Sequence, residues 1–99
     1  MGNTEKEKGA YEQRVEAELQ RLEAKITEMA AKADQAEAEA RIEYSKRLSE
    51  LREQQNKART KLKKLRESGE SAWRDLAGGM EQALNEMHSA VSKAGSRFE

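Results

Sequence analysis

The feature that most constrains this chain is a narrow apolar stripe that keeps helical phase over more than half of its length. Apolar or small residues recur every 3.6 residues on average from Tyr11 to Leu65, the repeat of an α-helix. Such residues share one sector of roughly 100° on the helix surface. A stripe this narrow predicts a seam against partner helices rather than the core of a monomeric globule. The positions are Tyr11, Val15, Leu19, Leu22, Ile26, Met29, Ala33, Ala36, Ala40, Tyr44, Leu48, Leu51, Gln55, Ala58, Leu62 and Leu65, of which Gln55 alone is polar.

The composition and the scarcity of helix-breaking residues both favour long solvated helices. Charged residues make up 38% of the 99 residues and hydrophobic ones 35%, below the apolar share of about 45–50% in compact globules. Proline is absent, so nothing forbids helix. The first real break is Ser68-Gly69-Glu70-Ser71. We therefore predict a flexible N-terminus over residues 1–9, one long helix over residues 10–67, a break at 68–71, and a second segment over residues 72–99 that is helical to about residue 97.

The stripe resumes after the break. Trp73, Leu76, Met80, Leu84, Met87, Val91, Ala94 and Phe98 again repeat at helical spacing. The predicted fold class is all-α: a long amphipathic helix followed by a shorter one, of the coiled-coil or helical-hairpin type. A hairpin turn over residues 32–37 is rejected, since this stretch has no Gly, Pro or Asn. The predicted interaction stripe is Leu19, Leu22, Ile26, Tyr44, Leu48, Leu51, Leu62, Leu65, Trp73, Leu76, Met80, Leu84, Met87, Val91 and Phe98.

Charge is segregated although the net charge is zero. Residues 1–40 carry six basic and ten acidic side chains, residues 41–67 ten and four, and residues 68–99 three and five. Parallel pairing in register would oppose like charges, which is unfavourable. We therefore expect antiparallel association, in which the basic part faces the acidic first part or the acidic second helix. The expected partner is a second copy of this chain or another antiparallel helix.

Few residues offer catalytic or ligand chemistry. Cysteine is absent and His88 is the only histidine, with Asn85 three residues before it where a helical di-metal motif has Glu. A rod of helices supplies no pocket that would perturb carboxylates for acid–base work. We expect no enzymatic activity, cofactor, metal or small-molecule substrate. Residues 1–20 contain no apolar core of the kind that a signal peptide has.

Two alternatives for function stay open. The second segment could lie on a membrane surface through its apolar face, although its polar face has few of the Lys and Arg residues typical of lipid-binding helices. The run Lys57, Arg59, Lys61, Lys63, Lys64 and Arg66 could contact phosphates of a nucleic acid. No aromatic residue interleaves that run to stack on bases, so a structural use of its charges is favoured.

The order of features resembles a family of small bacterial coiled-coil proteins of the stress response, typified by a salt-stress protein of cyanobacteria. The resemblance rests on Tyr11-Glu12, on three mid-helix stretches, and above all on the stretch that begins at the break. These stretches are Ala38-Glu39-Ala40-Arg41-Ile42-Glu43-Tyr44, Leu48-Ser49-Glu50-Leu51-Arg52, Lys61-Leu62-Lys63-Lys64-Leu65 and Ser68-Gly69-Glu70-Ser71-Ala72-Trp73. It implies a cytoplasmic bacterial protein with a stress-related role and no catalytic residues.

Overall fold

The computed structural model describes residues 3–97, with side chains placed for residues 5–96. The chain forms three α-helices, α1 (Asn3–Asp34), α2 (Ala38–Glu67) and α3 (Trp73–Arg97). No strand occurs between residues 3 and 97, which confirms the predicted all-α class. Phe98, a predicted stripe residue, lies outside the described residues.

The prediction of one uninterrupted helix over residues 10–67 is wrong, because the chain turns between Asp34 and Ala38. The N–H groups of Gln35 and Ala36 donate to the carbonyls of Lys32 and Ala33, both at 3.1 Å. This turn folds α2 back along α1.

Burial of side chains explains why a segment of good helix formers turns here. A straight helix would leave both halves of its stripe in water, at roughly 1.5–3 kcal/mol for each large apolar side chain. The few helical hydrogen bonds lost at the turn contribute less, about 0.5–1.5 kcal/mol each. The guanidinium of Arg41 recovers part of this by donating to the carbonyls of Asp34 and Ala36 at 3.3 and 3.1 Å.

The N-terminal segment also differs from its prediction as a flexible stretch, since α1 begins at Asn3 and includes Gly9. The Lys8 ammonium donates to the carbonyl oxygens of Arg66 and Ser68 at 3.1 and 2.8 Å. A cation at this place also suits the negative end of the α2 dipole. These contacts anchor the first turns of α1 to the end of α2.

The second break is closed by its own residues. The Ser68 hydroxyl and backbone N–H both donate to the carbonyl of Leu65, and the N–H groups of Ala72 and Trp73 donate to the carbonyl of Gly69. These bonds satisfy groups that a helix end leaves unpaired. The turn occupies residues 68–72, beside the break predicted at 68–71, and α3 folds back along α2.

The three helices form an up-down-up bundle that measures 58 × 18 × 16 Å. α1 is antiparallel to α2, as the Lys8–Ser68 and Glu23–Arg59 contacts show. α1 is parallel to α3, since Glu7 contacts Arg74 and Tyr11 contacts Glu81. All three pairs of helices are in contact.

The core is built from the predicted stripes. Most of the predicted stripe residues are buried in one cluster, with Tyr44 half-buried against it and Leu76 37% exposed. The stripe therefore finds its partner helices within one chain, contrary to the argument that it needs a second one. The buried stripe residues are Leu19, Leu22, Ile26, Leu48, Leu51, Leu62, Leu65, Trp73, Met80, Leu84, Met87 and Val91.

Candidate interaction site

A charged seam joins α1 to α2 along one flank of the core. The Arg59 guanidinium lies between two α1 carboxylates, with Nη1 2.6 Å from Glu16 Oε2 and Nε 3.0 Å from Glu23 Oε2. Arg66 reaches Glu16 Oε1 at 3.1 Å, and the Gln55 amide donates to Glu23 at 2.6 Å. We call these five residues the charged seam. Glu16 and Glu23 lie seven residues apart, two helical turns, and therefore face α2 together.

The charged seam shifts the ionisation of both carboxylates. Burial opposes ionisation of Glu16, yet its bonds to Arg59 and Arg66 hold its pKa below the usual glutamate value. The Arg59 hydrogen bond lowers the pKa of Glu23 against a smaller effect of burial. Both groups are therefore held as carboxylates that accept hydrogen bonds. They stabilise the pairing of two helices and are not poised to exchange protons.

An aromatic cluster joins α1 to the first turns of α3. The Tyr11 hydroxyl donates to Glu81 Oε2 at 2.6 Å and lies 3.2 Å from the Ala77 carbonyl. Its ring centroid is 5.8 Å from that of Trp73. The Arg14 guanidinium lies over the Tyr11 ring, 5.1 Å from the centroid, and pairs with Glu81 at 3.1 Å. Burial, with the Glu81 carboxylate, raises the pKa of the Tyr11 phenol above its ordinary value. We call Tyr11, Arg14, Trp73, Ala77 and Glu81 the aromatic cluster.

Trp73 anchors this cluster from the start of α3. The side chain is buried, and Arg74 lies over its ring at 5.7 Å. Its indole N–H is buried and meets no acceptor among the described residues. A buried donor without a partner costs about 1–3 kcal/mol, so apolar burial of the ring must outweigh that cost.

The basic run divides between the seam and the surface. Arg59 and Arg66 belong to the charged seam, Lys57 lies 3.8 Å from Glu53 on its own helix, and Lys61 donates to the Gly79 carbonyl at 3.5 Å. Lys63 and Lys64 are exposed. The antiparallel pairing of acidic and basic segments that the sequence predicts is thus present within one chain.

An open groove of about 960 Å³ runs between α2 and α3. Its rim carries charges of both signs, such as Arg47, Glu50 and Lys57, and its floor includes the small residues Ala90 and Ala94. The groove is open to solvent, and its lining contains no histidine.

Two further side chains, Ile42 and His88, stand out on the surface between residues 5 and 96. Ile42 is 75% exposed on α2. The sequence analysis did not single it out, although a large apolar residue that lies off the stripe indicates an exposed apolar side chain. His88 is exposed beside Glu18, Arg21 and Lys25. No group of three or more His, Asp or Glu side chains is placed to hold a metal ion in this range. None of the described helices combines the length and apolarity needed to cross a bilayer.

Comparison with protein-family models, curated proteins and solved structures finds no match to this chain. The resemblance to bacterial stress-response proteins therefore stays a prediction from sequence.

Proposed function

We propose that this protein is a non-enzymatic structural or interaction protein that acts through helix–helix association, including association with copies of itself. The observation that carries the proposal is the charged seam. Its acidic and basic side chains are used to match one helix with another, as flanking charges do in coiled coils. Because the acidic α1 and the basic α2 are complementary and antiparallel, α1 of one copy also fits α2 of another.

The structure gives less support to the two alternatives. The apolar face of α3 is buried against α1 and α2, so a lipid surface would have to displace α3 from the bundle. Within the basic run, Arg59 and Arg66 are occupied by α1 carboxylates. A phosphate backbone would have to compete with these pairs, which weakens the case for nucleic-acid binding.

Sedimentation equilibrium over a wide range of concentrations tests the proposal. We expect a reversible monomer–dimer equilibrium in which the dimer fraction rises with protein concentration, because association is bimolecular. In parallel, flotation with anionic vesicles and a DNA-binding titration at several salt concentrations test the two alternatives. A folded monomer at every concentration would contradict self-association, and salt-resistant vesicle binding would favour the lipid-surface role.

The resemblance to bacterial stress proteins adds a cellular expectation to this proposal. If the protein serves in a stress response in the cytoplasm, its amount should rise in cells shifted to high salt. Quantitative immunoblotting of fractionated host cells measures both the amount and the compartment. An unchanged amount under salt, heat and oxidative stress would remove the stress assignment and leave the interaction role untouched.

A further inference from the structure

The two interhelical breaks of this bundle are built in different ways. The break between α2 and α3 has Ser68, which closes α2, and Gly69, whose carbonyl accepts two hydrogen bonds at the start of α3. The turn between α1 and α2 has one side-chain closure, the Arg41 guanidinium on the carbonyls of Asp34 and Ala36, and it has no glycine and no capping hydroxyl. Glu37, which precedes α2, makes no side-chain capping bond, and no residue of the turn adopts a positive φ.

The residues of the α1–α2 turn also favour helix. Gln35, Ala36 and Glu37 all have high intrinsic helix propensity, and neither Gly nor Pro occurs between Met29 and Glu67. A straight helix through this segment would restore backbone hydrogen bonds that the turn interrupts. The turn is therefore held chiefly by packing of α1 on the rest of the bundle, assisted locally by the Arg41 side chain.

The apolar stripe keeps its phase through the turn. Met29, Ala33, Ala36, Ala40 and Tyr44 follow one another at spacings of three or four residues, as on a single helix. A hairpin turn imposes no such continuity on the helix that follows it. Retained phase means that a straightened α1–α2 helix would present both halves of the stripe on one face.

The charged seam has a register that suits two such straight helices. Arg41 lies midway in sequence between Glu16 and Arg66, and also midway between Glu23 and Arg59. Two antiparallel copies paired in this register would therefore cross near Arg41. The stripe at the neighbouring positions Ala33, Ala36 and Ala40 is alanine only, and small side chains allow two helices to approach closely at a crossing.

We propose that this chain forms a dimer by exchanging α1 with a second copy of itself. In the dimer, α1 and α2 fuse into one helix, and α1 of each copy packs on α2 and α3 of the other. The core contacts and the charged seam are kept, but between chains instead of within one. Exchange of identical elements is a low-cost route to dimers, since only the hinge changes. This inference rests on the proposed self-association and gives it a structural form.

The first experiment uses a proline that fits the closed turn and breaks the fused helix. Glu37 has φ −67° and ψ 159°, values that proline adopts, and its N–H makes no backbone hydrogen bond. Glu37→Pro should lower the association constant at least about 100-fold, because proline disrupts the interior of the fused helix in both chains. Glu70→Pro is the matched control, since it lies in the break that both forms keep, and it should leave association unchanged.

The second experiment detects exchanged contacts directly. The chain has no cysteine, so thiols can be placed singly. Glu23→Cys and Gln55→Cys are made in separate chains, because the native side chains are in contact. The two variants are unfolded, mixed, refolded together at high concentration and treated with a short thiol cross-linker. We expect a covalent mixed dimer, whereas two copies of the closed bundle keep these positions on opposite partners apart.

The possible results distinguish exchange of α1 from self-association in general. A monomer at every concentration overturns both the self-association and the exchange. A dimer that forms equally well with Glu37→Pro, and that gives no mixed cross-link, overturns only the exchange. Loss of the dimer in Glu37→Pro alone, together with a mixed cross-link in the cysteine pair, establishes it.

Discussion

At the scale of single residues, the aromatic cluster concentrates the contacts that fasten α3 to α1. Trp73 contributes apolar area at the start of α3, and Tyr11 contributes a hydrogen bond to Glu81. Their roles are distinct, because one acts through burial and the other through a donated proton. We therefore expect substitutions of Trp73 and of Tyr11 to have different effects on stability.

Replacement of Trp73 by alanine should lower the free energy of unfolding by about 3–5 kcal/mol, the usual cost of removing a buried tryptophan. Trp73→Phe should cost clearly less, since it keeps a ring and removes the buried N–H that lacks an acceptor. Leu76→Ala, at a more exposed position of the same helix, should cost less than about 1 kcal/mol. Urea unfolding followed by circular dichroism measures all three; an equal loss for Trp73→Ala and Leu76→Ala would contradict this placement.

Tyr11→Phe should cost about 1 kcal/mol at neutral pH, through loss of the hydrogen bond to Glu81. Because the pKa of Tyr11 is raised in the folded chain, the contribution of its neutral form is fully present below about pH 10 and is lost as pH rises towards the folded pKa. The stability gap between the native chain and Tyr11→Phe should therefore narrow in alkali. Trp73→Phe, which keeps the phenol, serves as the control and should retain the alkaline loss.

At the scale of elements, the charged seam fixes how α1 lies against α2. Its carboxylates and guanidinium side chains are each one-half or less exposed, so water screens them only in part. Arg59 pairs with both Glu16 and Glu23, which lie two helical turns apart on α1. A single position of α2 therefore fixes two positions of α1.

Arg59→Met should therefore lower the free energy of unfolding by about 1–2 kcal/mol near neutral pH. The pKa of Glu16 and of Glu23 is lower in the folded chain, so the stabilisation is present above the unfolded value of about 4.3 and is lost as pH falls through the folded pKa. Arg59→Met should flatten this acid loss. Arg52→Met, at an exposed position of α2, is the control. Urea unfolding at several pH values measures the stability of both variants. Equal stability and equal pH dependence of the two would contradict a stabilising role of the charged seam.

The α1–α2 turn shows where local sequence signals stop. Helical phase predicted the all-α class and selected the residues that form the core, because apolar periodicity records which side of a helix is buried. It could not place the turn at Gln35–Glu37, since a straight and a folded helix carry the same stripe. The choice depends on burial between distant residues such as Leu22 and Leu62, which no local pattern reports. The Glu23–Arg59 pair escaped prediction for the same reason.

The closed turn itself makes a prediction about stability. Glu37→Pro matches the native φ of −67° and removes no backbone hydrogen bond, so it restricts chiefly the unfolded chain. It should leave the stability of the monomer unchanged or raise it by up to about 1 kcal/mol. Thermal unfolding at low concentration, where the monomer prevails, measures this effect. A large loss of stability would indicate that the turn has a different backbone conformation in solution.

At the scale of the whole molecule, the bundle is a short rod rather than a globule or a long coiled coil. Its Cα radius of gyration is 16.0 Å, against about 13 Å for a compact domain of this length. Each helix buries one stripe against two neighbours, and the polar faces stay in water. A bundle this thin buries little apolar area in total. Loss of the Trp73 side chain or of a charged-seam contact should therefore remove a large share of its stability.

Small-angle X-ray scattering distinguishes this shape from the alternative that the sequence alone suggested. At low concentration we expect a radius of gyration slightly above 16.0 Å, because side chains and hydration add to the Cα value. A single straight helix over residues 3–67 would be about 97 Å long and would by itself have a radius of gyration of roughly 28 Å.

At high concentration, the radius of gyration of the native chain and of Glu70→Pro should rise towards that of the long rod, because the exchanged dimer forms. In Glu37→Pro the value should stay constant, since the turn is locked closed. A long rod at every dilution would show that α1 and α2 are one helix in the native protein and that the closed bundle is not its solution form.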